Sequence, residues 1–273
     1  MLIDCHVHAF PDKIVSKAIS SLSEKAGGLK PAYDGSVSDL IKYMDTNGVD
    51  VACVLNIATN ARQMKAVNNC AKEINSDRIV AFGSVFPDAE DVLDELDRIK
   101  ELGLKGVKFH PEYQSFYVND KKMEQIYKKI SSLGLIAVFH AGGDLGFRPP
   151  YHCTPKMAVE ALKMLDTPVI FAHWGGYMYQ QEVIEHLAGS DAYLDVSFGH
   201  CVVPKPVAED IINKHGIDKF LFASDGPWHK TSDEKIFIES LDISKEDKIA
   251  VVTDSDGNIT EIPIGDYIFE VEG

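Results

Sequence analysis

Positive charge is scarce in this chain. Its 273 residues carry 27 Lys and Arg against 42 Asp and Glu, a formal net charge of −15. A surface of that sign repels phosphate backbones and anionic membrane faces, so neither nucleic acid nor a membrane is expected as a partner. Arginine is rarest of all, present only as Arg62, Arg78, Arg98 and Arg148. Cys5, Cys53, Cys70, Cys153 and Cys201 are odd in number, scattered and never spaced C-x-x-C. That excludes a disulfide framework and a Cys₄ zinc site, and it fits free thiols in a reducing cytoplasm. No apolar run reaches the roughly 18 residues of a transmembrane helix. The start, Met1-Leu2-Ile3-Asp4-Cys5-His6, lacks the basic and then apolar regions of a signal peptide. Repeats, low-complexity tracts and linkers are missing as well, which predicts one catalytic domain over residues 1–248.

What the chain has is apolar material, 45% of its residues. It falls into eight short runs, at 2–7, 51–58, 79–85, 106–109, 135–139, 168–172, 192–198 and 219–223. Continuous apolar runs are the pattern of strands buried on both faces, as in a parallel sheet under helices. The segments between them read as amphipathic helices. In 119–134, Met123, Ile126, Tyr127, Ile130 and Leu133 form one stripe, with Asn119 or Asp120 to cap the start and Gly134 to end it. Thr154-Pro155 opens another helix with a cap and a first-turn proline. Eight strands alternating with helices predict an α/β fold, a (β/α)₈ barrel, for which about 250 residues is the usual length. The last segment, 249–273, breaks the pattern. Its Asp256-Gly257 turn between apolar runs reads as a β-hairpin-like extension that packs on the barrel or at an oligomer interface, so a homodimer is open.

Six of the ten histidines fall at the C-terminal ends of predicted strands: His6, His8, His110, His140, His173 and His200. Those ends form the catalytic face of such a barrel. His6 and His8 are two apart on one strand and aim to the same side. Alone, that pair also fits hydrogen-bonded rim histidines. His140 and His173 each follow an apolar strand and precede two nearby glycines. Asp225 ends the eighth strand, and a carboxylate there needs a partner, although a turn residue before Pro227 would also explain it. Three neutral imidazoles and one carboxylate around a divalent ion, with one position open to water, make a catalytic zinc-type site. Its charge of about +1 favours ionising a bound water.

His6-x-His8, the strand Gly106-Val-Lys-Phe-His110-Pro111, His140, His173 and Ser224-Asp225-x-Pro-Trp228 together resemble the amidohydrolase superfamily. The match is best to its amidohydrolase-2 branch, which holds aminocarboxymuconate-semialdehyde decarboxylase-like enzymes with related hydrolases, lactonases and hydratases. The resemblance covers about residues 1–240. It implies that His6, His8, His140 and Asp225 bind one divalent metal, Zn²⁺ by the donor set. It also implies that His173 sits beside the water or the substrate carbonyl, with Asp225 doubling as base. Two-metal relatives carry a modified lysine on the fourth strand, so Lys108 is the candidate bridge to a second ion. The Asn-Ala-x-Arg-like C-terminal motif of the family is not found here.

For substrate binding, Arg148 lies in the loop after the fifth strand, where its bidentate fork suits a carboxylate. Loop bracing explains it equally. Trp174, Trp228 and Tyr113 could line an aromatic-accepting pocket, each also readable as packing, and His110 could contact substrate. The leading expectation is a cytoplasmic metal-dependent hydrolase of an amide, lactone or similar bond in a small molecule that could carry a carboxylate. The alternatives are a non-oxidative decarboxylase or hydratase using the same metal site, and a catalytically idle metal-binding regulatory barrel.

Overall fold

The computed structural model describes residues 1–244, so the hairpin-like extension and the boundary at 248 lie outside the described residues. The order is β1 (Ile3–Val7), α1 (Val15–Lys25), α2 (Val37–Asn47), β2 (Val51–Leu55), α3 (Met64–Ile74), β3 (Ile79–Phe82), α4 (Val92–Glu101) and β4 (Gly106–Phe109). It continues through α5 (Pro111–Gln114), α6 (Met123–Ser132), β5 (Ile136–Phe139), α7 (Pro155–Leu162), β6 (Val169–Phe171) and α8 (Gln180–Glu182). It ends with β7 (Tyr193–Asp195), α9 (Lys205–His215), β8 (Phe220–Leu221) and α10 (Thr231–Glu239). All strand pairs are parallel, in the orders β1-β2-β3 and β4-β5-β6-β7-β8.

Two seams close these arcs into one barrel. Between β3 and β4, Gly83 N–H donates to Gly106 O and Lys108 N–H to Gly83 O, each at 2.9 Å. Between β8 and β1, Cys5 N–H reaches Phe222 O (2.9 Å), Asp225 N–H reaches His6 O (2.7 Å) and His8 N–H reaches Gly226 O (2.6 Å). The expected (β/α)₈ barrel is therefore present. No helix among the described residues is long and apolar enough to cross a membrane.

Ile3, Cys5, Cys53, Leu55, Phe82, Ile136, Val138, Ile170 and Leu221 fill the barrel, while the alternate positions pack under the helices. Phe109, Phe139 and Phe171 stack there on neighbouring strands, their centroids 5.2 and 5.5 Å apart. The register of β1 against β2 breaks between Asp4 and Val7. Cys5 belongs to the inner set and Val7 to the outer, so the extra residue reverses the alternation and turns His6 inward.

Several local readings need correction. The strands stop earlier than their apolar runs. β7 ends at Asp195, whose Oδ1 takes the N–H groups of His173 (2.9 Å) and Ser197 (3.1 Å) in place of ladder partners. β8 is two residues long, because Ser224 N–H donates to Asp4 Oδ1 (2.9 Å) across the seam. Two helices, α1 and α2, precede β2. Thr154 caps α7 as expected, accepting from Met157 N–H with Pro155 in the first turn. Asn119 and Asp120 do not cap α6: Asn119 donates to Glu160 (2.6 Å), and Asp120 accepts from Tyr117 N–H (3.2 Å).

Asp4, outward-facing and buried, fastens the β1–β8 seam. It accepts from Ser224 N–H and from the hydroxyls of Ser224 (2.6 Å) and Thr231 (3.2 Å). Burial pushes its pKa up to about 7, although these hydrogen bonds pull the other way. Asp4→Ala should orphan several buried donors and lower unfolding stability by about 3 kcal/mol in urea titration; a change within error would show that the seam holds without it.

Candidate metal centre

The seam between β8 and β1 brings His6, His8 and Asp225 together. Asp225 Oδ1 lies 3.2 Å from His6 Nε2 and 3.0 Å from His8 Nε2. The contacts of the other ring nitrogens fix what these atoms offer. His8 Nδ1 is 2.9 Å from Leu55 O, and a carbonyl only accepts, so the proton sits on Nδ1. His6 Nδ1 is 2.8 Å from Asp195 Oδ2, which likewise holds the proton there. Both Nε2 atoms of the neutral rings therefore point lone pairs at a carboxylate oxygen that has no well-formed hydrogen bond of its own. Three acceptors converge here, and a cation between them would satisfy all three, whereas Lys108 Nζ, 3.3 Å from His6 Nε2, reaches only the first. The ligand atoms of these residues lie within 4.8 Å of one another, as divalent-ion coordination demands.

His140 stands one ring further. Its Nε2 donates to Gly143 O (2.8 Å), which leaves a lone pair on Nδ1, 3.0 Å from His173 Nε2. From the other side, Ser197 O–H donates to Asp195 Oδ1, and His173 Nδ1 is 2.8 Å from Ser197 Oγ. A neutral His173 that donates to Ser197 has its own lone pair on Nε2. Two acceptors then face each other, a contact resolved by an added proton or a shared cation. Gly142 makes this corner feasible. At φ +81° it fits against Tyr177, where a Cβ would come within 2.3 Å of the backbone.

Neutral imidazoles suit metal ligation, and burial holds His6, His140 and His173 neutral. It lowers His6 and His173 well below the usual histidine range and His140 to about 4, with further lowering by neighbouring cationic groups. Lys108 is buried beside them, its Nζ 3.3 Å from His6 Nε2. Burial brings its pKa down to about 8 against the pull of Asp195 and Asp225. Burial also raises Asp225, but His6, His8 and Lys108 outweigh it and the net shift is downward. His173, Trp174 and Asp225 all have positive φ, of 58°, 59° and 61°. Strained backbone at non-glycine residues is common where geometry serves a site.

Above the cluster opens a cavity of about 1000 Å³, walled on one side by α1. His6, His8, Lys108, His110, His140, His173, Asp225, Tyr113 and Trp228 all border it, as the sequence predicts. Two expected residues do not. Trp174 is fully buried with its indole N–H on Val196 O (2.8 Å), packed between Phe220 and Phe237. Arg148 is exposed and absent from the cavity wall, because the chain carries it outward beyond Phe147. The cations that do border the cavity besides Lys108 are Lys13, Lys17 and Lys25 of the β1–α1 segment. His110 pairs with Asp144 (Nε2 to Oδ2, 3.2 Å) and stacks on His140 at 4.1 Å.

Asp195 and Asp144 escaped the sequence reading. Asp195 sits inside the apolar run at 192–198, so the sequence does not mark it as a strand end. Nothing local marks Asp144.

A family model described as amidohydrolase matches residues 3–254. No curated protein matches the chain. The 5-carboxyvanillate decarboxylase of Sphingomonas paucimobilis is similar in structure, with a TM-score of 0.68 at 17% identity over 96% of this chain and 98% of that one. An uncharacterised TIM-barrel protein of Bordetella bronchiseptica gives 0.71 at 16% identity, over 97% and 98%. A dihydroxybenzoic acid decarboxylase of Polaromonas, solved with manganese and 2-nitroresorcinol, gives 0.71 at 14%, over 98% and 99%. At such identities the structural likeness speaks for the barrel fold alone. The family match spans nearly the whole chain, and the protein belongs to the amidohydrolase family, in its amidohydrolase-2 branch.

Asp195 orients His6 from behind. Asp195→Ala should weaken metal affinity by roughly 10- to 100-fold, read by competition with a chromogenic chelator, with the fold kept by circular dichroism. Unchanged affinity would mean that His6 needs no such support.

Proposed function

We propose that the protein is a metal-dependent hydrolase that cleaves an amide, lactone or related carbonyl bond in a small carboxylated molecule. The observation that carries this reading is the convergence of the His6, His8 and Asp225 acceptor atoms on the floor of a cavity walled by lysines. His6, His8, His140 and Asp225 would hold the ion. A divalent cation there supplies Lewis acidity toward water and a substrate carbonyl.

The chain's own groups account for the rest. Asp225 is ionised and borders the cavity, so it can take the proton that attacking water must lose. Its link through the seam to His6 keeps that oxygen in place. His173, held by Ser197 and His140, borders the same space, and with an added proton on Nε2 it would donate to the oxygen on which charge develops. Lys13, Lys17 and Lys25 give the cavity wall a positive side, which favours an anionic substrate despite the chain's net charge of −15. Tyr113 and Trp228 supply flat apolar surface for its body.

A second reading is non-oxidative decarboxylation. It is favoured by the solved neighbours described as decarboxylases. There the lysine side would receive the carboxylate, and Asp225, after taking a proton from water and leaving hydroxide, would pass it to carbon as carbon dioxide departs.

Chelator treatment should abolish turnover, with recovery on adding Zn²⁺ or Mn²⁺. Full activity without metal would sink both readings. Asp225→Asn should cut kcat at least about a thousandfold while the thermal transition persists. Screening lactones, amides and hydroxybenzoates with both acid-release and carbon dioxide assays separates hydrolysis from decarboxylation. Carbon dioxide release without hydrolysis would overturn the first reading. Lys17→Glu should raise KM several-fold for a carboxylated substrate and leave kcat nearly unchanged.

A further inference from the structure

We propose that His200, His229 and Asp233 form a second divalent metal site, of the zinc class, on the barrel rim outside the catalytic cavity. One ligand atom from each residue lies within 4.8 Å of the others. None of the three borders the cavity. Two imidazoles and a carboxylate are donors that suit zinc and similar ions, with water to complete a tetrahedron.

The surroundings are built as metal sites are built. Glu234 is fully buried, and its Oε1 lies 2.5 Å from His229 Nδ1. The contact is an ion pair outside hydrogen-bond geometry; a carboxylate beside Nδ1 favours the proton there and leaves Nε2 for a metal, which would displace the second proton that Glu234 favours on the ring. The other oxygen of Glu234 accepts from Gly199 N–H (3.1 Å) and His200 N–H (3.2 Å). One buried side chain thus positions both histidines, one through its ring and one through its backbone. Asp233 and Glu234 bring two negative charges, which a divalent ion balances.

The site would join the loop after β7 to the start of α10. Between it and the catalytic centre stands Phe198. Its ring stacks on His229 at 5.0 Å, meets His173 edge to face at 5.6 Å, and borders the cavity. An ion here would therefore fix one wall of the cavity without touching substrate.

The test loads purified protein with Zn²⁺, removes the excess by desalting and counts ions per chain by mass spectrometry. His200→Gln is the main variant, because among the described residues this half-exposed ring has only Cys201 in hydrogen-bonding range and its loss should not disturb folding. Asp233→Asn is the second. Wild type should hold two ions, His200→Gln and Asp233→Asn one each, and His8→Ala one. If the catalytic cluster takes no ion, wild type should hold one and His200→Gln none, which still supports the rim site. A zinc-dependent rise in Tm should persist in His8→Ala and shrink in His200→Gln. Ion content equal to wild type in both rim variants would overturn the proposal.

Discussion

The barrel has to close, and everything at the site depends on how it does so. The seam between β8 and β1 is held by backbone bonds from Cys5, His8 and Asp225 and by the buried carboxylate of Asp4 on Ser224. His6 and His8 stand on one side of that seam and Asp225 on the other. The interaction that completes the sheet is thus the one that assembles the three acceptor atoms. A register break in β1 does the remaining work by turning His6 inward beside Cys5.

The electrostatics follow from that burial. Desolvation keeps His6, His140 and His173 neutral, and hydrogen bonds to Leu55, Asp195 and Gly143 choose which nitrogen of His8, His6 and His140 faces inward. Lone pairs left facing one another are costly in a low-dielectric space. The chain accepts that arrangement here, and His110 Nδ1 and Glu112 Oε2 nearby are likewise buried without a hydrogen bond. A cluster of acceptors beside Lys108, under a cavity lined with lysines, gives the site a sign opposite to that of the surface.

Much of this was legible in the residues. Continuous apolar runs mark parallel strands, and the histidines that follow them mark the catalytic face, so the barrel and the residues around the metal centre could be named by position. The ends of the strands could not. At Asp195 and Ser224 a side-chain carboxylate takes the backbone donor that would have extended the ladder, and no local pattern announces this. The substrate-facing residues were the least legible. Trp174 and Trp228 follow similar strand ends, yet Trp174 packs against Phe220 and Phe237 in the core while Trp228 borders the cavity. The lysines of the β1–α1 segment, rather than Arg148, reach the cavity because α1 lies along its edge.

The sequence alone determined the alternation of strand and helix, and it determined which side chains follow each apolar run. Both follow from periodicity and from the geometry of one chain segment, which neighbours in sequence control. Only the tertiary structure decided which ring nitrogen is free, which carboxylate supports which histidine, and which cations border the cavity. Those depend on atoms brought within about 3 Å from strands up to 220 residues apart, as in the bond between Asp4 and Ser224. Hydrogen bonds and desolvation act over that distance and carry no trace in the order of the chain.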